Sequence, residues 1–408
     1  MGAVSYAQMD LKDGKNCHHF HRDIPEGKIE RRGIWFWVFM ITVSIGITVL
    51  LPWSGALPVA SGSASLSGSF GEGIGVPART STSAIDGGIP RTKFPASSFT
   101  DEVQFDKYSL IVKGQRTFLH SGEFHTFRLP VPSLWPDILQ KFKAAGLNSV
   151  SVYIHMGLIN PSRGVIDFDG WRALQPLYNA AKETGLWVVL RPGPYINAET
   201  SAGGIPHWTT TEIAGRLRSN DSDWRAAWPD YIQGIIKNSR NNQITRGGPL
   251  IAIQIDNEYN ERDGAAYFAE LEAAYRDPNS GIVVPLTYND PNMNRNFING
   301  TGAVDLYGLD SYPQGFDCSH PDIWNSVILN YHQYHEEVNP SQPWYIPEFQ
   351  GGAFDNWAQN APGYEKCREL TGPDFQSVFN LQLWASNAKL INYYMTYGGT
   401  SWGGMPWQ

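Results

Sequence analysis

The sequence predicts an α/β chain folded as a (β/α)8 barrel over residues 99–408. Three observations predict it: eight short apolar runs recur along that span, helical patterns separate most of them, and glutamates close two of them. The runs are Thr117 to Glu123, Leu147 to His155, Leu186 to Arg191, Leu250 to Glu258, Val283 to Tyr288, Val304 to Leu309, Trp344 to Glu348 and Leu390 to Tyr397. A doubly wound open sheet is the competing arrangement, and no glycine-rich phosphate loop supports it.

The fourth run is the clearest. A Gly-Gly-Pro break precedes Leu250 to Ile255, which is apolar apart from Gln254, as a strand buried on both faces requires. Between runs, Ser133 to Ala145 places Leu134, Ile138, Phe142 and Ala145 on one helical face, with Ser133 as the expected N-cap and Gly146 as terminator. Trp171 to Glu183, capped by Asp169, and Gly264 to Tyr275 read as two further helices. Only eleven residues follow the last run, so the expected barrel lacks its eighth helix and leaves the outer face of its last and first strands uncovered.

The chemistry sits at strand ends. In a parallel barrel the C-terminal ends of the strands form the working face, and Glu258 and Glu348 close the fourth and seventh runs. Two carboxyl groups meeting across one pocket can break a glycosidic bond, one protonating the departing oxygen while the other attacks the anomeric carbon. Glu123, closing the first run, is equally a pocket residue or a structural one. His125, His155 and His207 lack metal-ligand spacing and read as hydrogen-bonded loop residues, so no metal and no cofactor is expected.

Composition agrees with such a site. With 39 acidic against 31 basic residues the net charge is −8, and no dense basic patch suggests nucleic acid as a partner. The 15 tryptophans and 19 tyrosines suit a cleft that stacks on sugar rings.

The N-terminal part divides into a cytosolic tail (1–32), a transmembrane signal-anchor (33–52) and a Ser/Gly/Pro-rich stalk (53–98). Ile34 to Leu51 is almost unbroken in apolar character and would span about 27 Å as a helix, enough for the hydrocarbon core. Arg31 and Arg32 abut its N-terminal side and no positive charge follows until Arg79, which orients the barrel to the lumen or the exterior. A cleaved signal, cut near Gly62-Ser63-Ala64, would make the chain secreted instead. In that compartment Cys318 and Cys367 are the only pair, and bridging them would contribute on the order of 4 kcal/mol in the chain-entropy model. Asn220 and Asn299 open two glycosylation sequons.

The stretch GGPLIAIQIDNEY resembles the active-site signature of glycoside hydrolase family 35, the β-galactosidases. The resemblance runs on through SGEFHTFRLPVPSLWPDILQKFKAAGLNSV, LRPGPYINAE, DSYPQGFDC, PEFQGGAFDNW and NYYMTYGGTSWGG, covers roughly Phe99 to Gln408, and is nearest the fungal branch. It implies Glu258 as acid/base, Glu348 as nucleophile, and Tyr153, Asn197, Ala198, Glu199, Asn257 and Tyr312 as galactose contacts. It also implies a Cys318–Cys367 disulfide and β-galactoside oligosaccharides or glycans as substrates. Asp256 stands where the family's motif carries glutamate, which points to altered pocket packing. The family's later aromatic segment and its C-terminal β domains have no counterpart in this sequence. Two other readings compete: an exo-β-glucosaminidase on the same barrel, and a catalytically weak galactoside-binding membrane protein.

Overall fold

The computed structural model describes residues 100–261, 264–354 and 362–402. The predicted tail, anchor and stalk lie outside the described residues, and among the described residues no helix is long and apolar enough to cross a membrane.

A small antiparallel sheet of β1 (Val103–Asp106), β2 (Ser109–Val112) and β3 (Gln115–Thr117) precedes the barrel. Its strands are too short for periodicity to announce them, but its turns follow simple chemistry. The Asp106 carboxylate accepts the backbone N–H groups of Tyr108 and Ser109 at 2.8 and 3.1 Å, fixing the first turn. Lys113 and Gly114 both take positive φ in the second, as a tight hairpin demands.

Eight parallel strands then close in chain order: β4 (Leu119–Glu123), β5 (Ser149–Tyr153), β6 (Trp187–Arg191), β7 (Leu250–Gln254), β8 (Leu286–Asp290), β9 (Leu306–Leu309), β10 (Tyr345–Gln350) and β11 (Leu390–Tyr394). Each lies within or overlaps one of the predicted runs. Pairing of Leu390 with Leu119 closes the ring between β11 and β4. At the bottom, Leu119, Val189, Ile251, Leu306, Tyr345 and Leu390 meet Leu110 of β2 around a void of only about 10 Å³. The small sheet therefore plugs the barrel floor, and its Val103, Phe105 and Val112 join the same core. Apolar side chains fill the lower layers and leave the chemistry to the upper rim.

Helices α1 (Trp135–Ala144), α2 (Gln175–Thr184), α3 (Pro229–Ser239), α4 (Ala265–Arg276), α5 (Tyr331–Val338) and α6 (Pro373–Ala385) wrap the outside. No helix joins β8 to β9 among the described residues. The buried stripe of α1 is Trp135, Leu139 and Phe142, rotated by one position from the predicted face. The cause is local: a 3-10 turn, Pro132–Leu134, feeds straight into α1, and the Trp135 indole N–H donates to the Leu129 carbonyl at 2.7 Å, drawing that ring inward. For the same reason Ser133 does not cap, while Gly146, at φ 91°, does end the helix region as expected. Asp169 makes no cap either, because the chain turns extended at Ala173 and α2 restarts with Pro176 in its first turn. On the outer face of β4 and β11, Phe118 is exposed and His120 and Tyr393 are half-buried, with Tyr393 packed edge to face on His120 and Phe118 tilted against it.

Candidate active site

β7 ends at Gln254, so Asp256, Asn257 and Glu258 lie beyond the strand rather than in it. Asp256 and Glu258 take left-handed backbone, φ 51° and 44°, a conformation that costs energy in non-glycine residues and persists only where its surroundings enforce it. Asp256 supplies that enforcement. Its buried carboxylate pairs with Arg218 at 3.3 Å and accepts the N–H groups of Tyr195 and Asn257. The departure from the family's glutamate is thus accommodated by packing beside the pocket.

Glu348 lies inside β10, not at its end, where the register against β11 shifts between Ile346 and Phe349. That irregularity re-aims the side chain toward the barrel axis. The Tyr153 hydroxyl reaches Glu348 Oε1 at 2.6 Å, Arg191 donates to the same oxygen, and the Tyr312 hydroxyl donates to Oε2. Burial holds both phenols protonated well above their ordinary range, so they remain donors.

Glu258 has a different setting. Its carboxyl is pushed up to about 7, first by burial and then by the negative charge of Glu348. Carboxylate oxygens of Glu258, Asp310 and Glu348 all lie within 4.8 Å of one another. One carboxyl set to hold its proton therefore faces one set to accept three donors, a division of labour that acid-assisted displacement needs.

The Asn289 amide organises the rim between them. Its Oδ1 accepts the Glu258 backbone N–H at 3.1 Å, which fixes the amide's orientation, and its Nδ2 donates to Asn257 Oδ1 (2.7 Å) and Asp310 Oδ2 (2.6 Å). With its carbonyl oxygen occupied, Asn257 presents its amino group to the pocket.

On the opposite wall Asn197, Ala198 and Glu199 form three consecutive left-handed residues, φ 49–53°. The buried Arg128 pins them, donating to Ala198 O at 2.6 Å and Glu199 Oε2 at 2.9 Å, while the Tyr394 hydroxyl donates to Glu199 at 3.2 Å. Ile196 to Glu199, Asn257, Glu258, Tyr312, Phe316, Glu348, Phe354 and Tyr394 line one cavity of about 150 Å³, room for a single sugar ring rather than a chain. A larger hollow of about 630 Å³, bounded by Phe127, Trp171 and Trp402, lies apart from both glutamates and is mostly apolar.

Residues 109–407 match the family described as Glycosyl hydrolases family 35. The chain belongs to glycosyl hydrolase family 35. It is 41% identical over 326 residues to a probable β-galactosidase B of Aspergillus terreus and 42% identical over 313 residues to a β-galactosidase of Aspergillus niger, covering 74% of this chain in both cases. It spans 31% of the length of either relative. Among solved structures, a β-galactosidase from Bacillus circulans sp. alkalophilus superposes with a TM-score of 0.50 at 11% identity, over 71% of this chain and 52% of that one, a likeness of fold.

Within this family 35 barrel the structure brings Tyr153, Asn197, Ala198, Glu199, Asn257, Glu258, Tyr312 and Glu348 together. Tyr153 sits just beneath the cavity wall, and the others line it. Glu123 is fully buried below the pocket, where Arg191, His125 and Asn392 bond it, so it is a structural residue. Burial raises the Glu123 carboxyl, but Arg191 and His125 outweigh it and hold it at about 2. Cys318 and Cys367 are disulfide-bonded, and Asn220 and Asn299 are exposed. Sequence reasoning missed Arg191, Asp310, Asn289, Arg128 and Tyr394. Arg191 and Asp310 close or directly follow predicted strands, so the rule that found the glutamates would have found them too.

Proposed function

We propose that the chain is a retaining exo-glycosidase that releases terminal non-reducing β-D-galactose, with Glu258 as acid/base and Glu348 as nucleophile. One observation carries this: the two carboxylates approach within 4.8 Å on one cavity, a separation suited to direct attack and too small to seat a water between them. Glu348 attacks the anomeric carbon as Glu258 protonates the departing oxygen, leaving a galactosyl-enzyme ester. Glu258, now a carboxylate, takes a proton from water, which attacks the ester and frees Glu348. Asn257 donates its amino group to the 2-hydroxyl, a contact that strengthens in the oxocarbenium-like transition state. Asn197, Ala198, Glu199, Tyr153 and Tyr312 hold the ring, and the single-sugar cavity limits binding to a chain end. The names of the Aspergillus relatives support galactose as that sugar.

With a chromogenic β-galactoside and the full chain, Glu348→Gln is expected to fall to background and Glu258→Gln to lose about 10²- to 10⁴-fold in kcat. Turnover surviving Glu348→Gln removes the nucleophile assignment. Faster release from a β-glucosaminide makes the enzyme a glucosaminidase, and galactose binding without turnover by the wild-type chain makes it a binding protein. NMR of the first-formed sugar reads the anomer, and an α product would reject retention. We further propose that residues 33–52 anchor the barrel on the luminal or outer side of a membrane, with 1–32 cytosolic and 53–98 as stalk. The apolar run and its flanking arginines support that reading.

A further inference from the structure

Asp310 is a third carboxyl in the catalytic hollow, directly after β9, and the mechanism above does not use it. It is buried, and its backbone N–H donates to Asp290 O at 2.8 Å. Asn289 satisfies Oδ2, and the orientation of that amide is set by the Glu258 backbone, so it cannot turn to serve the other oxygen. Asp310 Oδ1 is shielded from solvent and finds no donor among the described residues. A Glu258 carboxyl oxygen nonetheless comes within 4.8 Å of an Asp310 carboxyl oxygen. Two carboxylates offer four acceptors and no donor, so two such groups buried this close together are stabilised by a proton held between them. A cation in its place would need six or more oxygen ligands, and both Glu348 oxygens are already engaged by Arg191, Tyr153 and Tyr312.

We infer that Asp310 keeps its own proton throughout turnover and donates it as a hydrogen bond to Glu258, acting as a positioning residue for the acid/base. In the first step the Glu258 proton moves to the leaving oxygen, and the new carboxylate is met by the Asp310 O–H. In the second step Glu258 takes a proton from water, and Asp310 retains its own. Proton count balances in both steps with no co-reactant. Burial, with the charges of Glu348 and Glu258, raises the Asp310 carboxyl well above the ordinary range, in keeping with this assignment.

The inference rests on the acid/base role proposed for Glu258, so the test has one arm that needs no turnover. Infrared difference spectra of the full chain, wild type minus Asp310→Asn, are expected to show a protonated carboxylic acid band at a pH well above the Glu258 titration. Absence of that band overturns the assignment whatever the activity. A band in a chain without turnover leaves the proton assignment standing and defeats the functional reading instead. In the kinetic arm, Asp310→Asn keeps a neutral donor and should retain most of kcat and the alkaline limb of kcat/KM. Asp310→Ala removes the donor, should lower kcat/KM about 10- to 100-fold, and should move that limb to higher pH. An acidward shift in Asp310→Asn would show a carboxylate in the wild type. Equal losses in both variants with unmoved limbs would show packing alone. Either result rejects the inference.

Discussion

Because burial and the charge of Glu348 push the Glu258 carboxyl up to about 7, its protonated form persists close to neutrality. In the proposed mechanism the first step needs that proton, so kcat/KM should fall as pH rises through about 7. A stopped profile that stays flat to well above this value would remove Glu258 as the acid. The same shift has a stability consequence. A carboxyl whose folded value lies above its ordinary 4.5 costs nothing while both states are protonated, and its cost grows as pH rises from 4.5 to about 7. Glu258→Gln should therefore raise Tm by roughly a few degrees above pH 7 and hardly at all below 4.5. At this scale both glutamates were legible in the sequence as rim residues, although Glu258 lies beyond β7 and Glu348 within β10 rather than at the strand ends. The proton partner was not: Asp310 is distant in sequence from both glutamates, and only closure of the ring brings the three carboxyls together.

Arg128 shows how one element holds another. It ends the short 3-10 turn Thr126–Arg128, yet its guanidinium reaches across to the loop after β6 and bonds Ala198 O and Glu199. Behind it, Arg128 Nε donates to His125 Nδ1 at 3.1 Å, and His125 Nε2 faces Glu123 at 3.0 Å. Burial lowers His125 to about 4, so it is neutral, donating to Glu123 and accepting from Arg128. A planar fork is needed to hold two oxygens at once, and lysine has none. Arg128→Lys should free the left-handed Asn197–Glu199 segment and raise KM about tenfold or more, with a smaller effect on kcat. An unchanged KM in a folded variant would show that the loop holds its shape unaided. Helix faces were less legible than strands. The stripe of α1 was misread by one position because a 3-10 turn and the Trp135 hydrogen bond, neither visible as periodicity, reset its phase.

For the whole molecule, the expected topology places both sequons and the disulfide on the same side of the membrane. Asn220 and Asn299 are exposed on loops, and Cys318–Cys367 ties the loop after β9 to the short helix Tyr364–Leu370. Full-length chain expressed in a eukaryotic host should pellet through alkaline carbonate extraction and carry glycans at both asparagines, read by mass spectrometry. Release into the carbonate supernatant would argue for a cleaved leader, and unmodified asparagines on an intact anchored chain would reverse the orientation.

The sequence by itself determined the barrel, because the period of buried strands and intervening helices depends only on neighbours along the chain. It also brought two glutamates to the rim, and through family resemblance it pointed to them as the pair proposed to break the bond. The tertiary structure alone decided what surrounds them. Three donors crowd Glu348, none among the described residues reaches Asp310 Oδ1, and a short β sheet seals the floor, all through contacts between residues tens to hundreds of positions apart. Proton affinity follows from that three-dimensional crowding, so chemically identical carboxyls acquired different tasks only once the ring had closed.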